Sequence, residues 1–182
     1  MKFFIIFLNT ILLIKYISAQ QSLPTGCLDA FRTAALTAHN QYRALCGVPS
    51  LTESDTIDSS AQAWATQMAT TNVFAHSGNS LYGESLYGQF TSGSLNNFSA
   101  CSTLGTTCVK SWYDEISNYN FNNPGYSDST GHYTQVVWKS SSILGMGLGW
   151  GIQSGGLNSY YCVGQYSPAG NNVAPGQFAT NV

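Results

Sequence analysis

The sequence predicts a single α+β domain in which helices pack on an antiparallel sheet. Amphipathic helical periodicity runs through the first half of the chain, and strand signals cluster in its last third. The chain has 182 residues, which is the length of one domain, and it shows no internal repeat or linker. A chain of this size can bury one adequate core without depending on crosslinks.

The N-terminus is typical of a secretory signal peptide. Lys2 precedes an apolar run from Phe3 to Ile14, and small residues lead to a cleavage site near Ala19. The apolar run is shorter than the about 20 residues that a membrane-spanning helix needs. We therefore expect residues 1–19 to be a signal peptide, and residues 20–182 to form an extracellular, secreted domain without a transmembrane anchor.

The charge balance excludes one class of partner. The chain has 6 basic and 8 acidic residues, and two of the basic ones, Lys2 and Lys15, lie in the predicted signal peptide. No basic patch remains, so nucleic acid is not an expected partner.

Three helices are predicted. Apolar positions from Leu28 to Cys46 share one helical face, and a second stripe starts near Asp55 and fades around Asn72. Within the first helix, His39 is interpreted as a buried, hydrogen-bonded histidine. A third, short helix is marked by apolar residues between Val109 and Ile116.

Three strands are predicted after these helices. They cover Tyr133–Trp138, Ile143–Ile152 and Asn158–Tyr166, where β-forming residues or an apolar–glycine alternation predominate. Residues 92–107 are polar and are expected to be irregular, as is the tail after Pro168.

Five cysteines predict two disulfides and one unpaired thiol in an exported protein. The pairing stays open, although Cys101 and Cys108 bracket a short loop that could close on itself. Asn97 begins a glycosylation sequon, Asn97-Phe98-Ser99.

Four polar residues from separate segments are the candidates for chemistry: His76, Glu84, Glu115 and His132. Two imidazoles and two carboxylates can hold a divalent metal such as zinc, and the same groups can instead form a hydrogen-bonded network without metal. On the third helix, Glu115 lies nearer the buried edge than Asp114 does.

Several blocks resemble the CAP superfamily, the cysteine-rich secretory, antigen 5 and pathogenesis-related proteins that share the sperm-coating-protein domain. The segment Gly131–Trp138, Gly-His-Tyr-Thr-Gln-Val-Val-Trp, is similar to the first family signature, and 165–171 to most of the second. The blocks 74–77, 83–84 and 112–115 also match, as does His39-Asn40 with Arg43. The resemblance covers about residues 31–171.

The resemblance implies a three-layer α-β-α sandwich with a central antiparallel sheet, and a cleft lined by the tetrad His76, Glu84, Glu115 and His132. It implies that His76 and His132 hold a divalent metal such as zinc. The family is also associated with the binding of sterols and other lipids. Its aromatic motif linked to sterol binding is matched here by Tyr119, Phe121 and Tyr126. The alternative for these aromatic residues is that they only fix the turn between them.

Three positions depart from the family pattern. Gly164 replaces a cysteine, with Cys162 two residues earlier, which leaves the usual disulfide partner open. Ser85 stands where asparagine is usual, and Cys46 stands where histidine is common.

The first functional hypothesis is a non-enzymatic binding protein for a sterol or other lipid, with a metal-capable cleft. The second is a metal-dependent hydrolase with Glu84 or Glu115 as base, although the sequence lacks the H-E-x-x-H helix. Glycoside hydrolysis by the two glutamates and a Ser77 triad are weaker alternatives. A ligand for a receptor protein would leave no motif.

Overall fold

The structure is a computed structural model that describes residues 22–153 and 155–182. The predicted signal peptide lies outside these residues. The helices are α1 Cys27–Leu45, α2 Asp55–Thr71, α3 Phe98–Tyr113, α4 Gly131–Val136 and α5 Gln177–Asn181, and the strands are β1 Thr52–Glu53, β2 Gly83–Thr91, β3 Ile143–Ile152 and β4 Asn158–Ser167. A 3-10 helix, Asp114–Asn118, continues α3. No helix in the described part is long and apolar enough to cross a membrane.

The four strands form one sheet in the order β1-β3-β4-β2. The pairs β3–β4 and β4–β2 are antiparallel, whereas the two residues of β1 pair with β3 in parallel. Helix α2 packs on one face, and α1 with α3 on the other. The predicted α-β-α sandwich with a central antiparallel sheet is confirmed.

Alternate glycines in β3 bring α2 close to the sheet. A Cβ on Gly147 would meet the backbone of Ala61, and a Cβ on Gly149 would meet that of Ala65. Since glycine removes the side chain from this face, the helix backbone lies directly on the strand. The residues between the glycines, among them Leu144, Met146 and Leu148, point the other way into the main core.

Side chains replace a neighbouring strand along the open part of β3. Beyond the two residues paired with β1, Asp58 Oδ1 accepts the N–H of Met146 at 2.6 Å and Gln62 Oε1 accepts that of Leu148 at 3.0 Å. Arg32 and Gln62 donate to the carbonyls of the same two β3 residues. The edge-facing groups of Met146 and Leu148 are therefore satisfied although no strand pairs with them.

The segment Tyr133–Trp138 was predicted to be a strand, and this prediction is wrong. Residues up to Val136 form helix α4. Every residue from Tyr133 to Trp138 is buried, so neither helical nor strand periodicity can be read from the segment. Its β-forming composition is only a weak preference, which the tertiary packing overrides.

Residues 92–107 were expected to be irregular, but α3 already begins at Phe98. Asn97 is its N-cap and accepts the N–H of Ala100 at 2.9 Å. The buried positions recur at helical spacing, and they are Cys101, Leu104, Cys108, Val109 and Trp112. Two of these buried positions are cysteines, and some of their neighbours are polar. The helical stripe is therefore hard to recognise from the residue types alone.

The disulfides join Cys27 to Cys101 and Cys108 to Cys162. The expected number of two is confirmed, but Cys101 and Cys108 do not close a loop because they lie two turns apart on one helix. Cys46 is the unpaired thiol. The two crosslinks fix α3 to the start of α1 and to β4, and the tail, expected to be irregular, ends in the short helix α5.

Candidate functional site

His132 is held by Glu115. The Nδ1 atom of His132 lies 2.7 Å from Oε1 of Glu115, and Oε2 of Glu115 accepts the backbone N–H groups of His132 and Tyr133. His132 is the second residue of α4, so this carboxylate satisfies amides that the start of a helix leaves unpaired. Asp114, the neighbouring acid, instead pairs with Lys110 on the surface.

Three contacts fix α4 and so the position of His132. Arg43 is fully buried and donates to the carbonyls of Val136 and Trp138 at the end of the helix. At its start, Asn171 donates to the carbonyl of Gly131 at 2.8 Å. The ring of Trp112 lies alongside that of His132, with centroids 6.3 Å apart.

His76 and Glu84 form a second pair of the same kind. Nδ1 of His76 lies 2.9 Å from Oε1 of Glu84, which also accepts the N–H of Ser77 at 2.8 Å. Gln165 on β4 donates to the other carboxylate oxygen of Glu84 at 3.0 Å. The carboxylate therefore ties the His76 loop to the sheet.

Burial alone would raise the pKa of Glu84, but the hydrogen bonds from Ser77, Gln165 and His76 outweigh it and lower that pKa. Glu84 is thus ionised at neutral pH. An ionised carboxylate only accepts, so Nδ1 of His76 donates in this contact, and Nε2 is the ring nitrogen that faces away from Glu84. His132 presents Nδ1 to an oxygen of Glu115 in the same way.

A cavity of about 220 Å³ brings these pairs together. His76, Glu84 and His132 line it, whereas Glu115 lies behind His132. The remaining lining residues are Tyr126, Asp128, Gly131 and Asn171. His76 is well exposed, with 64% of its side-chain surface accessible, while the Glu84 side chain is 8% exposed.

Asp128 is a cleft residue that the sequence reasoning missed. It lies in a Ser/Thr/Gly-rich turn, where aspartate is common for local reasons, so its type carries no signal. Its carboxylate adds a third acidic group near the two imidazoles. Burial and a hydrogen bond with Asp128 together raise the pKa of Tyr126.

The structure separates the three aromatic residues of the sterol-linked motif. Tyr119 is buried against Phe121 and Tyr133, whereas Phe121 and Tyr126 are 58% and 53% exposed. Tyr126 also lines an adjacent groove of about 480 Å³, whose walls include Pro124, Val173 and Phe178. The motif therefore has one buried anchor and two exposed rings.

The structure also shows the surroundings of His39 and Asn97, two other residues that the sequence analysis singled out. His39 is fully buried, donates from Nδ1 to the carbonyl of Ala35 and accepts from the Tyr166 hydroxyl at 2.8 Å, as expected of a core histidine. Asn97 is exposed at the start of α3.

Fold and cleft together define an α-β-α domain with two histidine–glutamate pairs at one cleft. Residues 36–166 match CAP, described as the cysteine-rich secretory protein family, and the chain belongs to this family.

Curated relatives match over most of the chain. It is 35% identical over 152 residues to human Golgi-associated plant pathogenesis-related protein 1, covering 84% of this chain and 92% of that protein. It is 40% identical over 154 residues to Protein PRY2 of Saccharomyces cerevisiae, covering 84% of this chain but 41% of that protein. Among solved structures it is similar to BmVAL-1, with 26% identity, a TM-score of 0.66 and coverage of 84% of each chain.

Proposed function

We propose that this protein is a secreted, non-enzymatic CAP-domain binding protein that holds a sterol or other lipid beside the aromatic loop. The observation that carries the proposal is the exposure of two aromatic rings, Phe121 and Tyr126, of which Tyr126 lines a groove of about 480 Å³. Pockets that enclose drug-sized ligands typically measure about 300 to 1,000 Å³. The groove has that size, whereas the His/Glu cleft of about 220 Å³ is smaller and mostly polar.

The walls of the groove suit an apolar ligand. Val173 is 75% exposed at its edge, and Pro124, Pro175 and Phe178 contribute further apolar surface. Burying such surface stabilises a complex by about 25 cal/mol for each Å² removed from water. Tyr126 contributes a hydroxyl at the boundary between groove and cleft, where the hydroxyl of a sterol could find a polar partner.

A labelled-sterol titration of the purified protein tests the lipid proposal. Replacing Phe121 with alanine should weaken binding by roughly 10- to 100-fold if the ring is buried by the ligand. Phe90→Ala is the matched control, since Phe90 is 52% exposed but packs on Tyr161, away from the loop. No saturable binding, or equal binding by Phe121→Ala and the native protein, would reject the proposal.

We further propose a divalent cation as a second ligand, bound in the cleft. In each pair the glutamate engages Nδ1, and this is the arrangement that orients metal-binding histidines in proteins. The Nε2 atoms of His76 and His132 would hold the ion, which would supply positive charge to a cleft otherwise rich in carboxylates. Within the described residues, no three His, Cys, Asp or Glu side chains are grouped as a metal site, so water or a ligand would complete the coordination.

The same contacts argue against a hydrolase. A general base needs a carboxylate oxygen that can take a proton from water. Both oxygens of Glu115 accept hydrogen bonds from His132 or Tyr133, and both oxygens of Glu84 accept them from His76, Ser77 or Gln165. Both glutamates hold and orient a histidine, and this positioning role favours binding over catalysis.

A further inference from the structure

We propose that Asn97 carries an N-linked glycan and caps helix α3 at the same time. The proposal rests on the export from the cell that the proposed function includes. Asn97-Phe98-Ser99 has the acceptor sequence, with a residue other than proline in the middle. Asn97 and Ser99 are both exposed in the folded protein.

The two ends of the Asn97 amide have separate roles. Oδ1 accepts the N–H of Ala100 at 2.9 Å and so caps α3. Nδ2 donates one hydrogen to Oδ1 of Asn96 at 3.0 Å. Because Nδ2 carries two hydrogens, one can be replaced by a sugar while the other remains and the cap is unchanged.

The surface beside Asn97 has room for the first sugars. A shallow groove of about 430 Å³ lies there, and Asn97 and Ser99 form part of its wall. Gln89, Thr103 and Thr107 supply polar groups along the groove, and the half-buried Ala100 supplies an apolar surface. A carbohydrate presents hydroxyl groups and apolar ring faces, so both kinds of surface can contact it.

The modification is a group transfer from a lipid-linked pyrophosphoryl oligosaccharide. A bond forms between Nδ2 of Asn97 and the anomeric carbon of the first sugar, and the bond from that carbon to the pyrophosphate oxygen breaks. Nδ2 loses one proton, the lipid pyrophosphate leaves, and no electrons are exchanged. The Ser99 hydroxyl supplies the second element of the acceptor sequence.

The test is secretion of the full chain from cultured eukaryotic cells, alongside a reporter glycoprotein made by the same cells. Treatment with an amidase that removes N-glycans should increase the electrophoretic mobility of the native protein. The same treatment converts the linked asparagine to aspartate, so peptide mass spectrometry should locate the change at Asn97.

Four variants separate the acceptor from the helix cap. Asn97→Asp removes Nδ2 but keeps a capping oxygen, and Ser99→Ala removes the acceptor hydroxyl without touching the cap. Both should lose the mobility shift completely. Ser99→Thr keeps the acceptor sequence, and Asn96→Asp changes a neighbour outside it, so both should keep the shift.

Two results would overturn the proposal. One is a secreted native chain that is unmodified at Asn97 while the reporter is glycosylated, and the other is a shift that persists in Asn97→Asp and Ser99→Ala. A chain found in the cytosol rather than the medium would refute the export on which the proposal rests. That failure is distinguished from the others by where the protein is recovered.

Discussion

His132 and Glu115 are 17 residues apart in the chain, yet Nδ1 of the histidine lies 2.7 Å from Oε1 of the glutamate. The other oxygen of Glu115 accepts the backbone N–H of the same histidine at 2.9 Å. One carboxylate therefore fixes both the ring orientation of His132 and the helix start that carries it. His76 and Glu84 repeat the ring contact in the same cleft.

Replacing Glu115 with alanine should weaken zinc binding by about 10- to 100-fold, because orienting partners of metal-bound histidines typically contribute that much. The measurement is isothermal titration calorimetry of the purified protein with zinc. Asp114→Asn is the matched control, since Asp114 is the adjacent acid but pairs with Lys110 on the surface. Equal zinc affinities of Glu115→Ala and Asp114→Asn would contradict the proposed role of the cleft.

Acid should destabilise the fold through His39. Burial, followed by the nearby positive charge of Arg43, lowers the pKa of His39 from 6.5 to about 4. Between these values the unfolded chain binds a proton that the folded protein does not. The contribution of His39 to the free energy of unfolding is therefore complete above about pH 6.5. It falls by about 3 kcal/mol as the pH drops to about 4.

Denaturant unfolding at a series of pH values measures the slope of the free energy of unfolding against pH. His39→Gln should be less stable at neutral pH but should flatten the dependence between about pH 6.5 and 4. His76→Gln serves as the control, because its side chain is 64% exposed and the slope should persist. An unchanged slope in His39→Gln would show that other groups cause the acid sensitivity.

Gly147→Ala should destabilise the domain by about 1 to 3 kcal/mol, the range for overpacking a tight core. The added methyl group would meet the backbone of Ala61, which cannot move without displacing α2. Gly125→Ala has open space around the new methyl group and should change stability little. Thermal unfolding compares the two, and similar losses in both variants would refute the close packing of α2 on β3.

Removing the Cys27–Cys101 disulfide with a double alanine variant should lower the free energy of unfolding by about 4 kcal/mol, from the entropy of a loop of this length. The two cysteines are 74 residues apart in sequence. Cys46→Ala should leave the transition nearly unchanged, since this thiol has no disulfide partner. Peptide mapping under non-reducing conditions gives an independent check, and a Cys101–Cys108 peptide would contradict the pairing.

Elements with a clean repeat were predicted well. Helices α1 and α2 show apolar stripes at helical spacing, and β3 and β4 follow the predicted Ile143–Ile152 and Asn158–Tyr166. One short segment that is buried on every side was not. For Tyr133–Trp138, burial all round removed the periodicity that distinguishes a helix from a strand, and β-forming residues then pointed to the wrong one.

The amino-acid sequence by itself determined the class of fold, the number of disulfides, and the residues of the two histidine–glutamate pairs. It did so because regular periodicity, cysteine number and family motifs are local properties of the chain. Only the tertiary structure decided which glutamate holds which histidine, that Cys108 pairs with Cys162, and that Asp128 joins the cleft. Those outcomes depend on how α3, α4 and β2 pack together. Contacts between segments that are distant in the chain leave no pattern in the sequence of either segment.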